Sequence, residues 1–196
     1  MNLIKRCQQF RKILASDCVM TPGAYNGLTA RLAAIHGFQA LYVSGGALTA
    51  SSGVPDIGLR TLNEFVSVVK DVATFSDLPV IVDADTGFGE GEMCARTVNE
   101  LFFAGASGMH IEDQVFPKRC GHLLGKELIP TSQMVDKVRI ARETSIKVSE
   151  GEFVICARTD AKGVYGLEEC IKRSIAYIDA GADMIFPEGL HTAEEF

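Results

Sequence analysis

The hydrophobic residues of the chain fall into short continuous runs, not into alternating patterns. A run that is apolar at every position is typical of a parallel strand buried on both faces. A weaker candidate of the same kind lies at Cys18–Met20. The clear runs are Ala40–Ser44, Leu78–Asp83, Met109–Glu112, Phe153–Ala157 and Met184–Phe186.

The segments between these runs have helical spacing. Thr61 and Glu64 form a capping box in front of apolar positions that recur every three or four residues, which predicts the start of a helix. Residues 1–16 mix basic and apolar positions and lack a continuous hydrophobic stretch, so they predict an amphipathic opening helix and not a secretion signal. Further helical spacing covers residues 28–35, 98–102, 135–141 and 171–178.

One structural module recurs along the chain. A helix ends at a glycine, a short strand follows, and a polar residue stands at the strand's carboxyl end. The glycine and polar residue of each copy are Gly37 and Ser44, Gly105 and Glu112, and Gly181 and Glu188. Alternating strands and helices predict a parallel sheet, either a closed barrel or an open doubly wound sheet. Polar residues at several strand ends favour the barrel, because its active sites lie at that rim.

The number of strands falls short of a complete barrel. A full barrel has about eight strands and about 250 residues, whereas the pattern predicts six strands in 196 residues. The sheet is therefore open, or the chain stops before closure. No linker-like segment divides it, so we expect a single α/β domain over residues 1–196.

Composition excludes several classes of protein. With 47% hydrophobic and 22% charged residues, the chain has enough apolar mass for a core and is not intrinsically disordered. A net charge of −6 disfavours nucleic acid as a partner, and no apolar run is long enough to span a membrane. The six cysteines contain no CxxC pair, which disfavours a zinc site and fits a reducing compartment such as the cytoplasm.

Acidic residues stand at the ends of neighbouring strands. Asp83 and Asp85 follow one apolar run and, with strand alternation, would share a face. Paired carboxylates repel unless a cation or a shared proton intervenes, and Mg²⁺ prefers such oxygen ligands. Asp56, in a glycine-rich loop from Ser44 to Gly58, and the pair Glu112–Asp113 could join the same cluster. Taken alone, Asp56 and the pair Glu112–Asp113 are more typical of turn or capping residues, whereas several strand-end acids that converge indicate a site.

A basic loop carries a cysteine. Cys120 is flanked by Lys118, Arg119 and His122, which predicts a lowered thiol pKa suited to proton transfer or nucleophilic attack. The same cations could bind substrate carboxylates. The alternative is an exposed basic loop with an incidental cysteine.

Other polar strand ends have two interpretations each. Arg158 ends an apolar run and needs an anionic partner, either a neighbouring acid or a bound carboxylate. Glu188 is equally compatible with an ion pair and with substrate binding. The glycines of Ser44–Gly46 allow backbone N–H groups to approach an anion, although no nucleotide-binding motif is present. His36, His110 and His191 have no ligand spacing and are expected to be structural or exposed.

Taken together, these motifs resemble the isocitrate lyase and phosphoenolpyruvate mutase superfamily, and within it the branch of 2-methylisocitrate lyases. The most specific combination is the Lys-Arg-Cys-Gly-His loop with Asp-Ala-Asp. The segments that carry the resemblance are Tyr42–Gly46, Pro55–Asp56, Val82–Asp85, Gly87–Gly89, His110–Gln114, Lys118–His122, Ala157–Asp160 and Phe186–Glu188.

The resemblance implies a fold, a reaction and a set of residue roles. The fold is a (β/α)₈ TIM-type barrel, and the reaction is the Mg²⁺-dependent cleavage of 2-methylisocitrate to pyruvate and succinate in the methylcitrate route of propionate breakdown. Cys120 would be the general acid, and either Tyr42 or Glu112 the base. The implied Mg²⁺ ligands are Asp83 and Asp85, with Asp56 and Glu112 acting through water. The implied residues for the tricarboxylate substrate are Ser44, Gly45, Gly46, Lys118, Arg119, Gly121, His122, Arg158 and Glu188.

The resemblance also sets expectations for the whole protein. Relatives continue well past Phe196, so the chain is expected to be truncated, with an incomplete substrate pocket and exposed sheet edges that risk aggregation. A homo-oligomer, tetrameric in full-length form, is expected. The alternatives are isocitrate cleavage, oxaloacetate decarboxylation, phosphonate chemistry, or an inactive fragment that binds Mg²⁺ without turnover.

Overall fold

The five apolar runs of the sequence form one parallel sheet whose strand order follows the chain. The computed structural model describes residues 2–16 and 18–196. Within these residues, the first and the last strand are the two edges of the sheet, and each inner strand pairs with the strands before and after it in the chain. The strands are β1 Leu41–Val43, β2 Val80–Asp83, β3 Gly108–Glu112, β4 Val154–Thr159 and β5 Met184–Pro187.

Helices connect the strands, as a βα repeat requires. The predicted helices are all present, and two short helices, Gly45–Ser51 and Ala161–Tyr165, were not predicted. A single 3₁₀ turn, Ala193–Glu195, follows the last strand. The helices are α1 Leu3–Ser16, α2 Gly27–Ile35, α3 Gly45–Ser51, α4 Leu62–Ser76, α5 Glu92–Ala104, α6 Thr131–Ser149, α7 Ala161–Tyr165 and α8 Leu167–Asp179.

The predicted start and stop signals are confirmed. At the start of α4, the Glu64 carboxylate accepts hydrogen bonds from the Thr61 amide at 2.7 Å and from the Thr61 hydroxyl at 2.9 Å. Gly105 ends α5 with a φ of 104°, a left-handed conformation that costs glycine little. Gly37 and Gly181 also have positive φ angles, so the repeated glycine is a repeated helix stop.

Two predictions about local structure were wrong. Cys18–Met20 is not a strand; instead, Gly23 forms an isolated parallel bridge with Tyr42 of β1. The segment from Ser44 to Gly58 is not loop throughout, because residues 45–51 form α3. The Ser44 hydroxyl caps this helix by accepting from the Ala47 amide at 3.3 Å.

The core has two main parts, one on each face of the sheet, and a small third cluster formed by Leu128, Ala161 and Cys170. The larger part lies between the strands and the surrounding helices, and includes Phe65 and Val69 of α4. On the other face, Phe10 of α1 packs against Ile81 and Cys156. Apolar side chains therefore cover both faces of the sheet, and the polar side chains lie where the strands end.

Two outer helix faces remain exposed. The apolar positions of α8 at Ile171, Ile175 and Ile178 are about half exposed, and those of α2 at residues 28, 32 and 35 are between 47% and 71% exposed. Their helical spacing identified the helices correctly, but nothing in the described residues covers these faces. Among the described residues, no helix combines the length and apolar character needed to cross a bilayer.

Candidate active site

The polar strand ends meet at one edge of the sheet. Asp83 is the last residue of β2 and is in register with His110 of β3. Glu112, the last residue of β3, is in register with Arg158 of β4. Parallel strands in register place their carboxyl ends side by side, so the structure brings Asp83, Glu112 and Arg158 to the same edge of the sheet.

Asp83 and Asp85 converge on the start of α3, although not by strand alternation. β2 ends at Asp83, and Asp85 has a left-handed φ of 47°, which is uncommon for a residue other than glycine. Asp83 accepts hydrogen bonds from the amides of Gly45 at 3.0 Å and of Asp85 at 3.1 Å. A turn at Asp85, and not the pleat of the strand, therefore brings the two carboxylates together.

The two aspartates differ in their affinity for a proton. Burial opposes ionisation of Asp83, but the surrounding positive groups, Lys118 and Arg158 among them, lower its pKa. Burial and the charge of Asp83 raise the pKa of Asp85 to about 6. Of these two carboxyl groups, Asp83 is therefore the one that ionises more readily.

Lys118 lies among the acids and not in the open loop. Its ammonium is 2.6 Å from Asp56 Oδ1 and 2.9 Å from Asp85 Oδ1, and its side chain is only 3% exposed. Burial opposes its charge, but Asp85, Glu112 and the other acids raise its pKa. Lys118 is thus a buried cation that links the segment Lys118–His122, called the Cys120 loop, to the acidic cluster of Asp56, Asp83, Asp85 and Glu112.

Glu112 is the acid of this site whose two carboxylate oxygens are both buried and both lack a hydrogen-bond partner among the described residues. Its side chain is fully buried. The nearest cation is Arg158, with Nε 3.5 Å from Oε2. Burial therefore raises the pKa of Glu112 well above its ordinary value, despite Arg158.

The donor set fits a hard divalent cation. Asp83, Asp85, Asp56 and Glu112 offer only carboxylate oxygens, which Mg²⁺ prefers, and the unpaired oxygens of Glu112 leave ligand capacity unused. Within the described residues these side chains do not form a ready-made ligand cluster, because the Lys118 ammonium lies between Asp56 and Asp85. Binding of Mg²⁺ would require that ammonium to shift.

Arg158 has acids as its partners. Asp160 binds the guanidinium through two oxygens at 3.0 and 3.1 Å. Glu188 Oε2 lies 3.2 Å from Arg158 Nη2. The guanidinium also lies over the Phe186 ring, 5.2 Å from its centre. The sequence left open whether Arg158 pairs with a neighbouring acid or with a bound carboxylate. In the structure it pairs with the neighbouring acids Asp160 and Glu188.

The Cys120 loop closes over these strand ends. A β-carbon built on Gly121 would lie 2.5 Å from the Glu188 carboxyl carbon and would collide with the Arg158 guanidinium. Cys120 itself is half-buried. Arg119 and His122 are exposed, and Arg119 Nη1 donates to the Leu124 carbonyl at 3.3 Å. The structure therefore brings Gly121 to the site but leaves the side chains of Arg119 and His122 outside it.

His110 is a site residue that sequence reasoning missed. It is 2% exposed, its Nε2 lies 2.9 Å from the Tyr42 hydroxyl, and its Nδ1 has no partner among the described residues. The signal was available, because His110 and Glu112 are two residues apart on one strand and so share a face. Burial raises the pKa of Tyr42, and the charge of Asp83 adds to the effect.

Asp113 is turned away from the acidic cluster that its position suggested. Its carboxylate accepts from the hydroxyls of Thr159 and Tyr177, both at 2.8 Å, and from Arg173 at 3.1 Å. Neighbouring strand residues point to opposite faces, so Glu112 and Asp113 belong to different networks.

Comparison with known proteins gives one consistent family. The family model for phosphoenolpyruvate phosphomutase matches residues 10–196. The chain is 51% identical over 193 residues to the probable 2-methylisocitrate lyase 1 of Corynebacterium glutamicum, covering 98% of this chain and 62% of that protein. The chain thus spans less than two thirds of the length of this relative.

Solved structures agree with the fold. A 2,3-dimethylmalate lyase, described as a member of the PEP mutase/isocitrate lyase superfamily, superimposes with a TM-score of 0.91 at 39% identity, covering 99% of this chain and 64% of that one. A phosphonopyruvate hydrolase in complex with oxalate and Mg²⁺ gives 0.86 at 32% identity, covering 97% and 65%. The five-stranded sheet is therefore part of a TIM-type barrel fold, as the sequence predicted.

Proposed function

Because the chain belongs to the phosphoenolpyruvate phosphomutase family, we propose that it carries the main catalytic part of a Mg²⁺-dependent carbon–carbon lyase that cleaves 2-methylisocitrate to pyruvate and succinate. The observation that carries this proposal is the convergence of Asp83, Asp85 and Glu112 beneath a loop that bears Cys120. Similarity to 2-methylisocitrate lyases supports the substrate. The complex of a related hydrolase with Mg²⁺ supports the metal.

Acidic residues would hold the metal. Asp83 and Asp85 are the direct ligands in this proposal, with Asp56 and Glu112 acting through water. When bound, Mg²⁺ would polarise the substrate's oxygens and stabilise the negative charge that develops on them. Lys118, now paired with Asp56 and Asp85, would be released toward the substrate carboxylates.

The reaction needs a base and an acid at separate places. The base removes the hydroxyl proton, the carbon–carbon bond breaks, and its electron pair passes into the adjacent carboxylate of the succinate fragment. The geometry favours Glu112 over Tyr42 as base, because neither carboxylate oxygen of Glu112 has a hydrogen-bond partner among the described residues, whereas the Tyr42 hydroxyl is already paired with His110 Nε2 at 2.9 Å. Cys120 then donates the proton that the carbanion requires.

The remaining residues would bind and orient the substrate. Arg158 and Glu188 form the rim on which the loop closes at Gly121. Ser44, Gly45 and Gly46 would face the pyruvate half, although the Gly45 amide already donates to Asp83. Arg119 and His122 are exposed, so their predicted contacts with the succinate half need a further movement of the loop. A homo-oligomer remains a prediction, which sedimentation would test.

The experiment combines metal binding with turnover. Calorimetry with MgCl₂ is compared for the unsubstituted chain, Asp83→Asn and, as control, Asp179→Asn, which alters an exposed acid of α8. Pyruvate released from 2-methylisocitrate is followed in parallel, and isocitrate and oxaloacetate are assayed separately as alternative substrates, each by its own product. The proposal is supported if Mg²⁺ binds to the unsubstituted chain and to Asp179→Asn but not to Asp83→Asn, and if the unsubstituted chain releases pyruvate. Binding without any product supports the inactive alternative, and absence of binding contradicts the proposed metal site.

A further inference from the structure

Asp160 connects two cations that belong to different parts of the site. Its Oδ2 accepts from Arg158 Nε at 3.0 Å, and its Oδ1 accepts from Arg158 Nη2 at 3.1 Å and from Lys126 Nζ at 2.9 Å. The side chain of Asp160 is 0% exposed, so bulk water does not compete for these bonds. Charge-assisted bonds with two partners fix geometry as well as charge. Asp160 therefore fixes the position of Arg158 relative to Lys126.

Lys126 carries this connection to the Cys120 loop. Besides Asp160, its ammonium donates a hydrogen bond to the backbone carbonyl of Gly121, the residue that follows Cys120. The Lys126 side chain is 6% exposed, so both of its contacts are sheltered. Lys126 thus joins the thiol-bearing segment to Asp160, the residue that follows β4.

Asp113 anchors the arrangement from the far side. Its Oδ1 accepts from the Asp160 amide at 3.0 Å, while its Oδ2 accepts from Thr159, Tyr177 and Arg173. These contacts join the ends of β3 and β4 to α8. The backbone that bears Asp160 is therefore held by a buried network whose hydrogen bonds, among the described residues, involve none of Asp56, Asp83, Asp85 and Glu112.

A simple ion pair does not account for this arrangement. Arg158 already has carboxylate neighbours in Glu188 at 3.2 Å and Glu112 at 3.5 Å, so its charge would be compensated without Asp160. Burial opposes ionisation of Asp160, but Arg158 and Lys126 lower its pKa. One carboxylate shared by two cations orients both of them. Charge balance alone would not require such an arrangement.

We propose that Asp160 is a positioning residue, which holds the Arg158 guanidinium and, through Lys126, the backbone beside Cys120 in one fixed arrangement anchored by Asp113. The roles of Arg158 and Cys120 rest on the proposed function. The arrangement itself is independent of turnover and can be tested through the reactivity of the Cys120 thiol.

The test measures the alkylation rate of each cysteine by iodoacetamide, resolved by peptide mass spectrometry. Lys126→Met removes the connection to the loop, and Asp160→Asn removes the shared charge; Lys172→Met, at a side chain 81% exposed on α8, is the matched control. Loss of one charge-assisted hydrogen bond predicts a roughly tenfold faster reaction of Cys120 in Lys126→Met. Cys18, exposed in the same molecule, is the reference thiol, and continued protection of the buried Cys94 shows that the fold is intact.

Faster alkylation of Cys120 alone, in both site variants and not in Lys172→Met, supports the proposal. An unchanged Cys120 rate in Lys126→Met overturns it, and so does an equal increase at Cys94, which would indicate general loosening. If Asp160→Asn does not fold, Lys126→Met still decides. Absence of pyruvate release from the unsubstituted chain would count against the proposed function only, because the thiol comparison needs no substrate. Where turnover is present, Lys126→Met lowers kcat more than it changes KM.

Discussion

The backbone of Gly121 lies directly on the carboxyl group of Glu188. A β-carbon at position 121 would be 2.5 Å from the Glu188 carboxyl carbon, closer than packed side chains come. Gly121 does not need a left-handed φ; it needs the absence of a side chain. A side chain at position 121 would push the ends of Glu188 and Arg158 aside, so glycine lets the Cys120 loop close on both side chains where they stand.

Replacing Gly121 with alanine should lift the loop from the site. We expect Gly121→Ala to cost about 1–3 kcal/mol in the free energy of unfolding, the usual cost of overpacking, unless the loop detaches. In either case Cys120 should be alkylated faster. Urea unfolding and alkylation kinetics measure both effects. The control is Gly23→Ala, because a β-carbon there meets nothing within 4 Å. Equal behaviour of the two variants would show that the loop does not rest on Glu188.

The cysteines should divide into two groups by reactivity. Cys7, Cys94, Cys156 and Cys170 are buried, and burial raises the pKa of the first three to about 12, 11 and 12. Buried thiols with raised pKa values react slowly, since the thiolate is the nucleophile. We expect alkylation at neutral pH to modify the exposed Cys18 and the half-buried Cys120 first. All six should react in denaturant, and early modification of Cys94 in the native protein would contradict this packing.

The order of the elements was predictable because it depends on local patterns. Each strand is a short apolar run, and the helix stop at Gly105 depends on one residue's backbone freedom. The grouping of Asp83, Glu112 and Arg158 followed from parallel strands alone. The short helix α3 was not predictable in this way, because it is a seven-residue helix in a segment rich in glycine and serine.

The network behind the site could not be predicted from the sequence. Lys126 and Asp160 are 34 residues apart, and Asp113 and Tyr177 are 64 apart. No local spacing brings such pairs together; they meet only once the strands and helices are packed. His110 differs, because its place on the same face as Glu112 could have been inferred from strand alternation.

Tyr42→Phe should separate a structural role of Tyr42 from a role as base. The change leaves His110 Nε2 without its partner at 2.9 Å, and an unsatisfied buried polar group costs about 1–3 kcal/mol. If Glu112 is the base, turnover should fall modestly in Tyr42→Phe and severely in Glu112→Gln. Tyr165→Phe, at a side chain 56% exposed, is the control for stability. A loss of turnover in Tyr42→Phe as large as in Glu112→Gln would instead assign the base to Tyr42.

The capping box of α4 should make stability depend on pH in a predictable direction. The Thr61 amide and hydroxyl donate to Glu64, which lowers the pKa of that carboxyl below 4.5. A carboxyl with a depressed folded pKa stabilises the protein above the unfolded pKa, and this contribution is lost as pH falls through the folded value. Glu64→Gln keeps the shape of the capping box but cannot titrate. The variant should therefore be less stable than the unsubstituted chain at about pH 7, and the difference should shrink as pH falls below about 4.5.

Urea unfolding at a series of pH values measures this difference. Asp71→Asn is the matched control, because Asp71 is an exposed acid of the same helix that lies outside its first turn. Comparison of the two variants separates the effect of the capping box from the general effect of removing an acidic side chain from α4. A Glu64→Gln difference that stays constant across this series of pH values would show that the carboxylate charge does not stabilise the start of α4, and that the hydrogen bonds from Thr61 are equally strong with a neutral acceptor.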